Sequence, residues 1–210
     1  FSVFLAGRGG DPINSLICYD NLNVKLCGTY CGMSDSYDGA SHNAMSDMAF
    51  IRSLPSMSLI SVCDAVETEK AVFAAAQIDG PVYLRLSRAP AEVIFDDSYD
   101  FQVGKGVTLT QGNDITIVAT GYMVQESLEA AKLLEADGIK ARVVDIHTIK
   151  PIDRELIVKC AQETGAIVTA EEHSIYGGLG SAVSEVVVEE CPVPMGFIGT
   201  DGFGESGDYE

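Results

Sequence analysis

Short apolar runs alternate with helix-type patterns along the whole chain, and this alternation limits the fold more than any other feature. Val24–Cys27, Ser58–Val62 and Val82–Leu86 read as buried strands. Between the first two, residues 43–53 place Ala44, Met45, Met48, Ala49 and Ile51 at helical spacing. Leu54-Pro55 ends that helix, because the residue before a proline leaves the α region. Asp64 caps a second helix over 65–78, with Glu67 three residues on, as in a capping box. Gly80-Pro81 then turns the chain into the third strand. A β–α–β–α–β order predicts an α/β fold with a parallel or mostly parallel sheet and helices on both faces. Ahead of the first strand, a helix can start after Pro12 and carry Ile13, Leu16 and Ile17 inward, whereas Gly7, Gly9 and Gly10 weaken any helix upstream.

Residues 89–103 break the rhythm, carry four acids and read as a linker. A second alternation follows. Strands are predicted at Val107–Leu109, Ile115–Ala119, Ala141–Ile146, Ala166–Ala170 and Val193–Ile198, and helices at 123–136, 153–163 and 179–190. Gly138 stands where a helix C-terminal cap belongs, and Asp153 where an N-terminal cap belongs. The chain therefore divides into two α/β units, 1–88 and 104–210, joined by 89–103. The first unit looks incomplete at its front. Phe1 is not a start methionine and Asp201–Glu210 offers no closing element, so the chain reads as part of a longer one.

Composition narrows the function classes. Thirteen basic residues against 31 acidic give a net charge of −18, which argues against nucleic acid as a partner. No apolar run approaches the roughly 18 residues of a membrane span, and no signal-peptide layout is present. The six cysteines lack CxxC spacing, so neither a zinc site nor a disulfide framework is expected, and no metal ligand set is assigned. An acidic surface with free buried thiols fits a cytoplasmic protein.

The loop Cys27–His42, between the first strand and the first helix, gathers the most chemistry. In α/β folds ligands approach at the carboxyl ends of strands. Asp38 can orient a polyol, hold the imidazole of His42, or simply start the turn at Gly39. Ser41 is a cap candidate. His42 can exchange protons near neutral pH, or be a surface histidine beside a capping serine. Tyr30 and Cys31 sit where ligands approach, though packing explains both. Arg88 ends the third strand region, where a guanidinium suits a phosphate or carboxylate, or an ordinary salt bridge. Arg85, within the strand, reads as structural. Gly177-Gly-Leu-Gly180 fails the nucleotide fingerprints and fits close helix–strand packing, and Glu171-Glu172-His173 fits packing or an interface.

The strings N-L-N-V-K-L-C-G-T-Y-C-G-M-S, D-G-A-S-H-N-A-M-S-D-M-A-F-I-R-S-L-P, S-V-C-D-A-V-E-T-E-K-A-V and L-R-L-S-R resemble the pyrimidine-binding domain of transketolases. D-I-H-T-I-K-P-I-D and A-E-E-H-S-I-Y-G-G-L-G-S-A-V resemble the C-terminal domain of the same family. The resemblance implies a thiamine diphosphate enzyme that moves a two-carbon ketol unit between sugar phosphates. By position it implies that Phe4, with Phe1, packs on the aminopyrimidine, Asp38 contacts donor hydroxyls, His42 serves substrate hydroxyls or proton transfer, and Arg88 grips the sugar phosphate. It also implies that a diphosphate-binding domain or subunit supplies the Mg2+ site and the activating glutamate, within a homodimer or heterotetramer. The chain departs from the family where Tyr30 replaces a usual histidine, where Ser36-Tyr37 precede Asp38, and at Gly7–Pro12. Related readings are a 1-deoxyxylulose-5-phosphate synthase, a 2-oxo acid dehydrogenase β subunit, or a non-catalytic paralogue.

Overall fold

The computed structural model describes residues 1–34 and 36–208. Helix α1 (Ser2–Arg8) continues through a short turn, α2 (Gly10–Pro12), into π-helical Ile13–Cys18. Strand β1 (Lys25–Gly28) follows, then a 3-10 turn at Gly39–Ser41 and helix α3 (Asp47–Ser53). Next come β2 (Ser58–Ser61), α4 (Ala65–Gln77) and β3 (Val82–Arg85). The second half runs β4 (Val107–Thr110), β5 (Ile115–Ala119), α5 (Met123–Ala136), β6 (Ala141–Asp145), β7 (Thr148–Lys150), α6 (Arg154–Thr164), β8 (Ile167–Ser174), α7 (Leu179–Glu190) and β9 (Met195–Thr200).

These strands form two mostly parallel sheets, so the fold is α/β. The first has the order β1-β3-β2-β7, and the second β4-β6-β5-β8-β9. In the first, Lys25 and Ser58 flank Val82 in parallel register, and β7 adds antiparallel to β2. In the second only β4 is antiparallel. Residues 89–103 hold no helix or strand. Strand β7 comes from the second half of the sequence yet completes the first sheet. One apolar cluster spans both halves, from Met48, Ile51 and Leu59 to Val144, Ile157 and Leu179.

Local signals account for several boundaries. Asp64 Oδ1 accepts the N–H of Glu67 at 2.7 Å, and Glu67 turns back to accept the N–H of Cys63 at 2.8 Å. This pairing caps α4 as its sequence predicts. Asp153 caps α6 through the N–H of Leu156, and Gly138 takes φ +83° after α5 while Ile139 N–H reaches back to Leu134 O.

Two expectations change. The glycine-rich front is helical, because packing outweighs propensity. A Cβ on Gly10 would stand 3.1 Å from the Phe50 ring, so glycine is what lets α3 lie against this segment. Ser2, fully buried, donates its N–H to Thr29 O and ties α1 to the end of β1. The helix expected from residue 43 starts only at Asp47, since Ala44 is held in a bridge with Gly32. Ser46 stands at its N-cap, and Ser41 does not cap it. Gly177–Gly180 serves close packing: a Cβ on Gly180 would meet the Phe197 ring at 2.6 Å.

Candidate functional site at the strand ends

Strands β1, β2 and β3 run parallel, so the segments that follow them leave from one edge of the sheet. There Thr29, Tyr30, Val62, Cys63, Thr68, Ser87 and Arg88 line a cleft of about 480 Å³. This is the edge at which α/β sheets present ligand sites.

A cluster of rings stands beside the cleft. The Phe1 ring lies 4.4 Å from Tyr30 and 5.6 Å from Phe4. His42 meets both phenyl rings edge-on, at 5.4 Å from Phe1 and 5.1 Å from Phe4. The Arg88 guanidinium lies over Tyr30 at 5.1 Å, and Arg8 over Phe4 at 4.8 Å. Each cation gains from the negative face of its ring. Phe1 keeps 42% of its surface exposed, so the cluster offers an aromatic face to a further flat group.

Tyr30 holds this arrangement at a backbone cost. Its φ of +57° is left-handed, which costs a side-chain-bearing residue about 1–2 kcal/mol. That conformation turns the ring between Phe1 and Arg88. His42 Nδ1 is 2.9 Å from Ser41 Oγ, which sets the ring's orientation.

The structure thus brings Phe1, Phe4, Tyr30, His42 and Arg88 into one connected group. Asp38 is placed differently. It heads the 3-10 turn, is exposed and makes no capping bond, and among the described residues nothing ties its carboxylate to the rings.

Several contributors escape a reading of motifs. Arg8 over Phe4 is one. Ser34 is another: it is buried, donates its Oγ–H to Cys31 O at 2.6 Å and accepts the N–H of Arg88 at 3.1 Å. The third is Glu172. Its carboxyl packs so close to Gly32 that a Cβ there would stand 2.2 Å from Glu172 Cδ. Burial pushes this carboxyl up to about 7. The neighbours of Glu172 are structural, as the sequence indicates. Glu171 accepts the N–H groups of Leu179 and Gly180 at the start of α7, and buried His173, pushed down to about 4, bridges Ser174 O and Ala49 N. Arg85 is fully enclosed, paired with Asp47 at 2.9 Å and donating to Ala44 O and Glu172 O. It holds the segment before α3 against β8.

Behind the cleft, Cys63, Glu67 and Asp145 are buried with ligand-type atoms within 4.8 Å of one another. Burial raises both carboxyls, and it raises the thiol too, with help from Asp145 and Glu67. These groups fit a proton-sharing seam between the two halves. No helix among the described residues is long and apolar enough to cross a membrane.

Comparison with known proteins agrees with this architecture. Residues 1–92 match the family model for the transketolase pyrimidine binding domain, and residues 104–206 that for the transketolase C-terminal domain. A 6-deoxy-6-sulfo-D-fructose transketolase subunit of Clostridium sp. (strain MSTE9) is 42% identical over 212 residues, covering 100% of this chain and 66% of that protein. Rattus norvegicus transketolase is 40% identical over 198 residues, 93% of this chain and 32% of that one. A solved split-gene transketolase, described as an inactive beta4 tetramer, superposes with a TM-score of 0.91 at 49% identity, over 97% of this chain and 66% of that one. The chain therefore spans less than two thirds of the length of these relatives.

Proposed function

The chain belongs to the transketolase family, and from that premise we propose that it is the C-terminal portion of a thiamine diphosphate-dependent transketolase. In this reading it transfers a two-carbon ketol unit between sugar phosphates, and only when a diphosphate-binding domain or subunit completes the site. That partner would also hold Mg2+. The assembly would be a cytoplasmic homodimer or heterotetramer.

The observation that carries this reading is the joining of an open aromatic face, an imidazole and a guanidinium at one sheet edge. Phe1 and Phe4 would give the aminopyrimidine an apolar surface. The bound cofactor supplies the electron sink for carbon–carbon bond cleavage and formation. His42 would hydrogen-bond substrate hydroxyls and move a proton at its half-buried ring. Asp38 would meet donor hydroxyls. Arg88 would hold the terminal phosphate, a charge-assisted contact. Tyr30 would donate a hydrogen bond to a substrate hydroxyl, and His42 would carry proton transfer on this wall.

The test is turnover by this chain mixed with a diphosphate-binding transketolase subunit, thiamine diphosphate and Mg2+. The expected result is ketol transfer from a pentulose phosphate to an aldose phosphate. Consumption of pyruvate instead would favour a 1-deoxyxylulose-5-phosphate synthase or 2-oxo acid dehydrogenase chemistry. No sugar-phosphate binding by the mixture would favour a non-catalytic paralogue.

A further inference from the structure

Arg88 lies at the end of a chain of contacts that begins in the other half of the molecule. Its main-chain N–H donates to Ser34 Oγ, and the same hydroxyl donates to Cys31 O, so Ser34 joins the segment after β3 to the loop after β1. Ser34 is buried, which makes this a fixed joint rather than a solvated contact. The loop rests in turn on Glu172 of β8. Gly32 has φ +62° and lies so close to the Glu172 carboxyl that only glycine fits. The N–H groups of Met33 and Ser34 face that carboxyl. On its other side, Arg85 of β3 holds Glu172 O at 2.9 Å and so fixes the strand from which the carboxyl projects.

We infer that Glu172 and Ser34 are positioning residues for Arg88: Glu172 holds the backbone of residues 32–34, and Ser34 fixes the Arg88 backbone, keeping the guanidinium over Tyr30 at the mouth of the cleft. The inference rests on the reading of Arg88 as the phosphate grip. It adds that the C-terminal half sets the affinity of a site whose rings all lie in the first half.

The relay also depends on charge. An ionised carboxylate holds main-chain N–H groups more strongly than a neutral carboxyl does. Burial raises Glu172 to about 7, against the pull of Arg85 and the two N–H groups and with the push of Asp47. Buried Cys31 faces it from the loop, and Tyr122, Glu205 and Asp208 line the same cavity of about 310 Å³. The relay is therefore tight above neutral pH and loosens below it.

The experiment is calorimetric binding of ribose 5-phosphate to the assembled protein, with kcat and KM for the same sugar. It compares wild type, Glu172→Gln and Ser34→Ala near pH 8 and near pH 6. Near pH 8 both variants should bind about tenfold more weakly, Glu172→Gln by losing a charge-assisted hold on main-chain N–H groups and Ser34→Ala by leaving the partly buried Arg88 N–H without its acceptor, with kcat within about twofold of wild type. Near pH 6 the gap between wild type and Glu172→Gln should close, because Glu172 is then neutral as glutamine is. The sugar phosphate's own titration is common to both proteins and leaves the comparison intact. A gap of the same size at both pH values, or none at pH 8, overturns the inference while leaving the phosphate grip standing. Wild type that binds no sugar phosphate overturns both. Should Glu172→Gln fail to fold, Ser34→Ala carries the comparison at pH 8, and wild-type affinity there would overturn the inference.

Discussion

Glu67, in the first turn of α4, and Asp145, at the end of β6, place carboxyl oxygens within 4.8 Å of each other across the seam between the two sheets. Both side chains are fully buried. Tyr99, from residues 89–103, donates its hydroxyl to Glu67 at 3.0 Å, so three segments of the chain meet here. Two like charges cannot both ionise in such a place, and burial raises both carboxyls.

Stability should therefore fall as pH rises. The folded state holds its protons above the unfolded carboxylate range, so the contribution is complete below about pH 4 and lost as pH climbs through the raised folded values. The loss is about 1.4 kcal/mol per pH unit for each extra proton held. Urea midpoints between about pH 5 and 9 check this. Asp145→Asn, which keeps a neutral partner for Glu67, should flatten the dependence. A flat wild-type profile would contradict the shared-proton seam.

Asp64 is a second clamp on the same helix end. Its Oδ1 accepts Glu67 N–H, and its Oδ2 accepts the N–H groups of Ile94 and Phe95, at 2.7 and 2.9 Å. Asp64→Ala loses a helix cap and leaves partly buried N–H groups without their acceptor, at a cost of about 2–4 kcal/mol. It should also open residues 89–103 to limited proteolysis. Unchanged stability together with protection of residues 89–103 would show that this carboxylate is not the clamp.

Gly32→Ala should destabilise the chain by about 2–3 kcal/mol, combining the left-handed backbone with overpacking against Glu172. Trimming the obstacle should recover the overpacking share: Glu172→Ala should cost less in the Gly32→Ala background than in wild type. A double-mutant cycle measures that coupling, and strict additivity would mean that the two groups do not press on each other.

How much of this was legible in the sequence depends on range. Asp64, Gly138 and Asp153 act on groups within a few residues, and their caps follow from spacing alone. The helix at Ser2–Arg8 and beyond was hidden, since Gly7, Gly9 and Gly10 lower propensity, while Gly10 admits the Phe50 ring, a contact no local pattern announces. Strand β7 was hidden because its three residues carry no period and are ordered by pairing with β2, some 90 residues earlier. At the site, the loop of Tyr30, Asp38 and His42 stood out by its chemistry, and Arg88 by its place after a strand. The family resemblance, and not periodicity, singled out Phe1 and Phe4. The Ser34–Arg88 joint links residues 54 apart and Glu172 acts on Gly32 from the other half, relationships that only the folded topology creates.

The most direct measurement is ketol transfer by the assembled mixture, with wild type and Arg88→Ala compared on a phosphorylated aldose and on the same aldose without its phosphate. Losing the charge-assisted grip should raise KM for the phosphorylated acceptor by about 10–100-fold while the unphosphorylated one changes far less. Equal losses with both acceptors, or none with either, would contradict the placement of the sugar phosphate at the end of β3.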